Sequence, residues 1–324
     1  MPKIGMIFHP TFPPETLRDF ARRAESAGLD ELWVWDDCFL PGAFTSAALA
    51  LSATERLTVG IGLLPATVYN PLFAAMEITT LARAFPGRFI PGFGHGVDSW
   101  MHQIGAAPKS SMKTLEETVN AVRVLLSGDR VTVHQNGVDL DAVQMTLFPI
   151  QPPPLYIGAM REKSLQLAGR AADGTILTDM SSPAYVRWAK THINAGIAER
   201  AHPLGDHRIV SYMTAKVNPD GETARAVVRR LIAQRLKWAN PQMDALGIRD
   251  EARALLETHG DDTARYLPDE WVDALSASGT PDQAAASVIR LADAGVDTVI
   301  LQPLDGDPDC LDEYTRYLLP LLKG

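Results

Sequence analysis

Three glycines fall in five positions, GFGHG at 92–96, after the apolar Phe89 and Ile90 and before a helix-like pattern. Glycine lets a backbone approach a ligand closely, and successive N–H groups near a helix start attract anions. Two readings are open: a phosphate cradle, or a strand-to-helix turn too tight for Cβ atoms. Related residues recur where other apolar runs stop. These are Phe8-His9-Pro10, Trp35-Asp36-Asp37, Gly60-Ile61-Gly62-Leu63-Leu64-Pro65, Gly158-Ala159-Met160-Arg161 and Thr178-Asp179. Glycines and polar groups among flat apolar and aromatic neighbours suit a large planar ring with a phosphorylated tail. No His/Asp/Glu cluster has metal-ligand spacing, so no metal is expected, and no GxSxG or Cys–His nucleophile pattern occurs.

These residues need a frame that brings them to one face. Apolar strand-like runs at 3–9, 30–37, 57–64, 88–94, 154–159, 175–179, 207–217 and 296–303 alternate with helical spacing. Pro71 marks a helix start after Asn70, and Gly28 marks a helix stop. Eight strands alternating with helices predict an α/β fold, a (β/α)8 TIM barrel, in which C-terminal strand ends build the active site. A doubly wound sheet fits less well, because no GxGxxG follows the first strand. Two stretches interrupt the rhythm. Residues 130–149 alternate around Asn136-Gly137 and read as a β-hairpin insertion. Residues 220–278 are charged and helical, longer than a barrel needs, and read as a helical insertion near the C-terminus. The expectation is a single domain over 1–324.

The 324 residues carry 46% hydrophobic and 21% charged side chains, an ordinary composition for a soluble domain. A net charge of −9 argues against nucleic acid or an acidic membrane as partner, because phosphate contacts need clustered Lys and Arg. With only Cys38 and Cys310, a disulfide scaffold is not expected and a reducing cytoplasm is. The opening MPKIGMIFHP shows no leader pattern, and no apolar run reaches membrane-spanning length.

Across essentially its whole length the chain resembles the bacterial luciferase-like superfamily, especially its F420-dependent oxidoreductase branch. The carriers are WVWDD (33–37), LTVGIGLLPATVYNP (57–71), AMEITTLARAFPGRFIPGFGHG (75–96) and LAGRAADGTILT (167–178). The resemblance implies a barrel with insertions that binds FMN or the 5-deazaflavin coenzyme F420 at its C-terminal face. Asp36 then matches an acid that contacts the cofactor. Asp37 stands where several such enzymes have a histidine that assists proton transfer, so a carboxyl would take that role. Gly62-Leu63 aligns with a peptide, commonly a non-proline cis bond, that bulges behind the ring, with Leu63 as buttress. Gly94, His95 and Gly96 correspond to the phosphate-binding loop. Gly158, Ala159, Met160 and Arg161 match a second cofactor-contacting strand end. His9, at the end of the first strand, is a candidate substrate contact or proton donor. Some sugar-phosphate-oxidising relatives carry a glutamate where this chain has Val97, so their chemistry is not implied.

F420 carries carbon where flavin has N5, so it transfers hydride without forming the oxygen adduct that monooxygenases use. The run GFGHGVDSWMHQIG resembles F420 enzymes more than long-chain flavin monooxygenases. The implied activity is hydride transfer to a small organic substrate, reducing an activated C=C or C=N bond. FMN-dependent monooxygenation is the alternative, and a non-catalytic flavin-binding barrel is the second. Members of the family are often dimers, so a homodimer is among the implied partners beside the small-molecule substrate.

Overall fold

Parallel strands buried on both faces need side chains that tolerate no water on either side, and the expected runs supply them. The computed structural model describes residues 2–304, 307 and 309–323. Its strands are β1 (Lys3–Ile7), β2 (Glu31–Val34), β3 (Thr58–Pro65), β4 (Phe89–Gly94), β5 (Val131–Gln135), β6 (Val138–Val143), β7 (Tyr156–Gly158), β8 (Gly174–Leu177), β9 (Arg208–Val217), β10 (Ala277–Gly279) and β11 (Thr298–Gln302). All four residues of β2 and of β8 are buried. Strands β1, β2, β3, β4, β7, β8, β9 and β11 pair in parallel in that order, and β11 returns to β1. This is the closed eight-stranded barrel, and each of the eight expected runs became one of its strands.

The helices are α1 (Leu17–Ser26), α2 (Ala43–Ser52), α3 (Pro71–Ala84), α4 (Asp98–Gln103), α5 (Ser111–Leu126), α6 (Glu162–Ala171), α7 (Pro183–Ala198), α8 (Gly221–Arg235), α9 (Asn240–Leu246), α10 (Arg249–His259), α11 (Asp269–Leu275), α12 (Pro281–Asp293), α13 (Cys310–Tyr317) and α14 (Leu319–Lys323). Local chemistry sets their starts. The Asn70 side chain accepts from the Leu72 N–H at 2.9 Å with Pro71 in the first turn, and Ser182 and Thr280 repeat the pattern before Pro183 and Pro281. The chain closes on two short helices, α13 and α14, separated at Leu318 just before Pro320.

Strands β5 and β6 form the expected antiparallel hairpin, with Asn136 and Gly137 both at positive φ in its turn. The charged stretch folds as α8–α11 plus a 3-10 turn (Gly260–Tyr266), and its end adds β10 beside β9. Its helices enclose their own apolar cluster, with Val228, Ile232, Leu236, Met243, Trp271 and Leu275 buried. Met180, from the loop after β8, inserts into that cluster, which fastens the insertion to the C-terminal rim of the barrel. The barrel interior is filled by Ile7, Trp33, Ile90, Tyr156, Ile176 and Tyr212 among others. Among the described residues, no helix is long and apolar enough to cross a membrane.

Candidate functional site

The ends of β3, β4 and β7 meet on the C-terminal face, and one side chain organises them. Leu63 lies over β4 and β7. A Cβ on Gly94 would stand 2.5 Å from Leu63 Cδ1, and one on Gly158 would stand 2.4 Å from the same atom. Both glycines are bare because Leu63 occupies the space. Neither opening alternative is therefore complete: the clearance at Gly94 is made for a side chain from the neighbouring strand, which becomes an apolar ledge. Glycines 60 and 62 do the same for aromatic rings. A Cβ at Gly60 would strike the Trp33 indole, and one at Gly62 would strike the Tyr212 hydroxyl.

The Gly62–Leu63 peptide is cis, as the resemblance implied. The carbonyls of Gly62 and Leu63 both have defined partners. The Tyr212 hydroxyl donates to the Gly62 carbonyl at 2.9 Å, and the Asp36 N–H donates to the Leu63 carbonyl at 3.1 Å. The β3–β4 register shifts between Ile61 and Leu64, so the bulge sits at the ledge. Burial holds the Tyr212 hydroxyl neutral by pushing its pKa far up, reinforced by the charges of Glu31 and Asp37.

On the β1–β2 side, His9 is buried (7% exposed) and its Nδ1 stands 2.7 Å from Thr11 Oγ1. The Thr11 N–H also points to Nδ1 at 3.4 Å, an arrangement suited by a ring proton on Nε2. The His9 ring packs edge-on against Trp35, with centroids 5.3 Å apart. Trp35 Nε1 donates to Asp37 Oδ2 at 2.9 Å. The Trp35 indole is thus the common neighbour of His9, Asp37 and, at 6.2 Å between rings, Tyr212. His9 and Asp37 are brought together through Trp35.

Asp36 is engaged otherwise. Its Oδ1 accepts from the Ala43 N–H in the first turn of α2 at 2.5 Å, and its Oδ2 accepts from the Tyr69 hydroxyl at 2.5 Å. A carboxylate at a helix N-terminus is electrostatically favoured. Asp36 therefore ties the β2 loop to α2 and to the loop after β3. Tyr69 and Tyr212 are residues of this arrangement to which the sequence assigned no role. Tyr69 was visible inside the LTVGIGLLPATVYNP run, whereas nothing local marks Tyr212.

On the β4 side, Gly96 has φ +73° and lies over Met101, whose sulfur accepts from Thr67 Oγ1 at 3.1 Å. His95 Nδ1 is buried without a hydrogen-bond partner. Burial pushes the His95 pKa below its ordinary value, and the backbone of Ser111, at the start of α5, opposes this in part. The first turn of α5 has no acidic residue, and its N-cap Ser110 makes no side-chain cap. An orphaned imidazole nitrogen, a glycine loop and uncapped helix amides converge as an anion site would require.

The β7 end divides. Gly158 is part of the ledge floor. The Ala159 N–H is spent on the Ile176 carbonyl at 3.1 Å, and the Met160 carbonyl accepts from the Tyr185 hydroxyl at 2.8 Å. Arg161 is exposed and lines a separate cavity of about 310 Å³ with Glu162, Trp188, Pro241, Asp244 and Ala245, between α6, α7 and α9. The structure thus gathers His9, Asp37, Leu63, Gly62, Gly94 and Gly158, and sets Arg161 apart.

The parallel barrel thus carries on its C-terminal face, where barrels of this kind build their active sites, an apolar ledge, a His9–Trp35–Asp37 corner and a glycine loop beside an uncapped helix start. The chain belongs to the luciferase-like monooxygenase family, whose sequence model matches residues 3–298. It is 28% identical to the 5,10-methylenetetrahydromethanopterin reductase of Archaeoglobus fulgidus, over 99% of this chain and all of that protein. It is 27% identical to the F420-dependent glucose-6-phosphate dehydrogenase of Nakamurella multipartita, over 97% of this chain and 94% of the relative. The F420-dependent tetrahydromethanopterin reductase of Methanopyrus kandleri shares the fold, with TM-score 0.84, 20% identity and coverage of 98% and 99% of the two chains.

Proposed function

We propose that this protein is an F420-dependent oxidoreductase that transfers hydride between reduced F420 and a small organic substrate, reducing an activated C=C or C=N bond. The observation that carries the reading is the pairing of a glycine-cleared apolar ledge with an unpartnered buried nitrogen, His95 Nδ1, on the adjacent loop. A ligand that is flat at one end and anionic at the other suits both at once. The relatives reported above, two of them F420-dependent by name, support F420 over FMN as that ligand.

Within this reading, Leu63 supports the ring from behind, and Gly94 and Gly158 keep the floor level beneath it. His95, the Gly94–Gly96 backbone and the first turn of α5 hold the phosphate, with a charge-assisted bond available when the imidazole is protonated. Bound F420 supplies a two-electron hydride donor. His9 or Asp37 holds the proton that accompanies hydride arrival, and Trp35 orients both, one by ring packing and one by its N–H. Asp36 positions the β2 loop through Ala43 and Tyr69. The resemblance gave Asp36 a cofactor contact; the bonds to α2 and Tyr69 favour a supporting role.

The test is anaerobic oxidation of reduced F420 by purified protein with planar enones as acceptors. Return of the oxidised deazaflavin absorbance only when protein and acceptor are both present supports the assignment. Oxygen consumption with reduced FMN and the same compounds, without F420 oxidation, would overturn it in favour of monooxygenation.

A further inference from the structure

Phe39 lies two residues beyond Asp37, with a left-handed backbone at φ +76° and a ring that is 68% exposed. A bulky L-residue is disfavoured in that conformation, and no burial of its side chain offsets the strain. Such outliers gather where a site uses them. The Phe39 ring meets Trp100 of α4 edge-to-face, with centroids 6.3 Å apart. Phe39 belongs to the loop after β2 and Trp100 to the helix after β4, while β3 runs between those two strands. The aromatic pair therefore links the two loops across the end of β3, the strand that carries the Leu63 ledge. Val97 and Ile104, at the two ends of α4, add exposed apolar surface.

Among the described residues, three cations of the β9 end and the helical insertion are already matched. Arg235 of the helical insertion pairs with Asp179, and Lys216 is held by Asp307 and Glu313 at 2.8 and 2.5 Å. Arg229 is shared between Glu222 and Asp269. An anionic substrate would have to displace one of these carboxylates to gain any of these three cations. A neutral one needs no such exchange, and it removes the exposed aromatic surface from water.

Resting on the reading of the site above, we propose that Phe39 and Trp100 form an aromatic clasp that selects an uncharged, planar, conjugated substrate. The clasp holds the apolar face of that substrate over the ring that the ledge supports, while its polar end meets His9 and Asp37. Phe39 and Trp100 are specificity determinants, with no part in moving the proton.

The probe is 6-propionyl-2-dimethylaminonaphthalene, an uncharged planar ketone whose emission shifts blue in apolar surroundings. Its anionic counterpart, the sulfonate, carries a sulfoethyl group in place of one N-methyl group. Wild-type protein is expected to bind the ketone and to bind the sulfonate at least about tenfold more weakly. Phe39→Gly suits φ +76° and is expected to keep or raise the melting temperature while weakening ketone binding about tenfold. Trp100→Leu is expected to weaken the ketone similarly. Equal ketone affinity in wild type and both variants, or tighter binding of the sulfonate, overturns the clasp. If F420 quenches tryptophan fluorescence normally and neither substitution moves the ketone, the clasp alone fails. If F420 does not bind and the ketone pattern holds, the cofactor reading fails and the clasp stands.

Discussion

Replacing Gly158 by alanine puts a methyl group into space that Leu63 fills. The new Cβ would stand 2.4 Å from Leu63 Cδ1 and 2.7 Å from Cδ2, far inside contact distance. The backbone at Gly158 is not left-handed, so alanine is compatible with it and the cost is steric. Leu63 yields before the strand does, because its methyl groups are the far end of a flexible side chain. Overpacking of this kind costs about 1–3 kcal/mol. In a chain of this length each ~1 kcal/mol lowers the melting temperature by about 2 °C, so a fall of about 2–6 °C is expected. Lifted from the floor, Leu63 intrudes on the plane where a ring would lie, and the Kd for F420 is expected to rise at least about tenfold, equivalent to ~1.4 kcal/mol. Thermal melts and fluorescence titrations of wild type, Gly158→Ala, Leu63→Ala and the double variant separate the causes. Removing Leu63 abolishes the clash, so the double variant should lose less stability than the sum of the singles, by about 1 kcal/mol. Strict additivity, or wild-type F420 affinity in Gly158→Ala, refutes the packing argument.

Further outcomes follow from three other sites. His95→Ala should weaken F420 about tenfold with an unchanged or higher melting temperature, because a buried unpartnered nitrogen is itself unfavourable. Since burial lowers the His95 pKa and an anion favours its protonated form, wild-type affinity should also rise between pH 8 and pH 6, and titrations of His95→Ala should lack that slope. His207, wedged between Thr175 Oγ1 at 2.8 Å and Arg200 Nη2 at 2.9 Å, has its pKa pushed down to about 4 by burial and then by the Arg200 charge. The unfolded chain protonates near its ordinary 6.5 and the folded chain does not, so this group is neutral to stability above pH 6.5. Stability is lost as pH falls from 6.5 to 4, by at most about 3 kcal/mol, and urea unfolding of His207→Gln should show a correspondingly shallower loss. Gly196→Ala should lower the melting temperature by more than about 5 °C, because its Cβ would meet the Gln166 carbonyl oxygen at 1.9 Å and backbone cannot rotate away.

The barrel was readable because its strands are buried on both faces and so appear as apolar runs closed by glycine or proline. β3 and β4, ending in LLP and GFG, are examples. The hairpin was equally open, since Asn136-Gly137 specifies its turn without help from distant residues. The reason for the glycines was not. What fills the space above Gly94 and Gly158 comes from residue 63, 31 positions before one and 95 before the other. No local pattern carries that information. Asp36 shows the same limit: its residue type was noticed, but Tyr69 and the first turn of α2 are brought to it only by folding. The LAGRAADG run within the family resemblance proves to hold a packing device as well, with Gly169 facing the Ile193 carbonyl and Gly196 facing that of Gln166 across the α6–α7 contact. The insertion at 220–278 looked only charged and helical. Its docking depends on Met180 and Asp179, 40 residues earlier, whose partners Arg235 and the insertion core are invisible in the linear order.

The central claim is that the Leu63 ledge and the His95 loop together seat a ring and its phosphate. Tryptophan fluorescence titration with three ligands tests it directly: F420, its deazaflavin ribityl core without phosphate, and FMN. Micromolar F420 binding, with the phosphate-free core weaker by about a hundredfold or ~2.7 kcal/mol, is the expected result. Equal binding of F420 and the phosphate-free core, or quenching by FMN and not by F420, would contradict it.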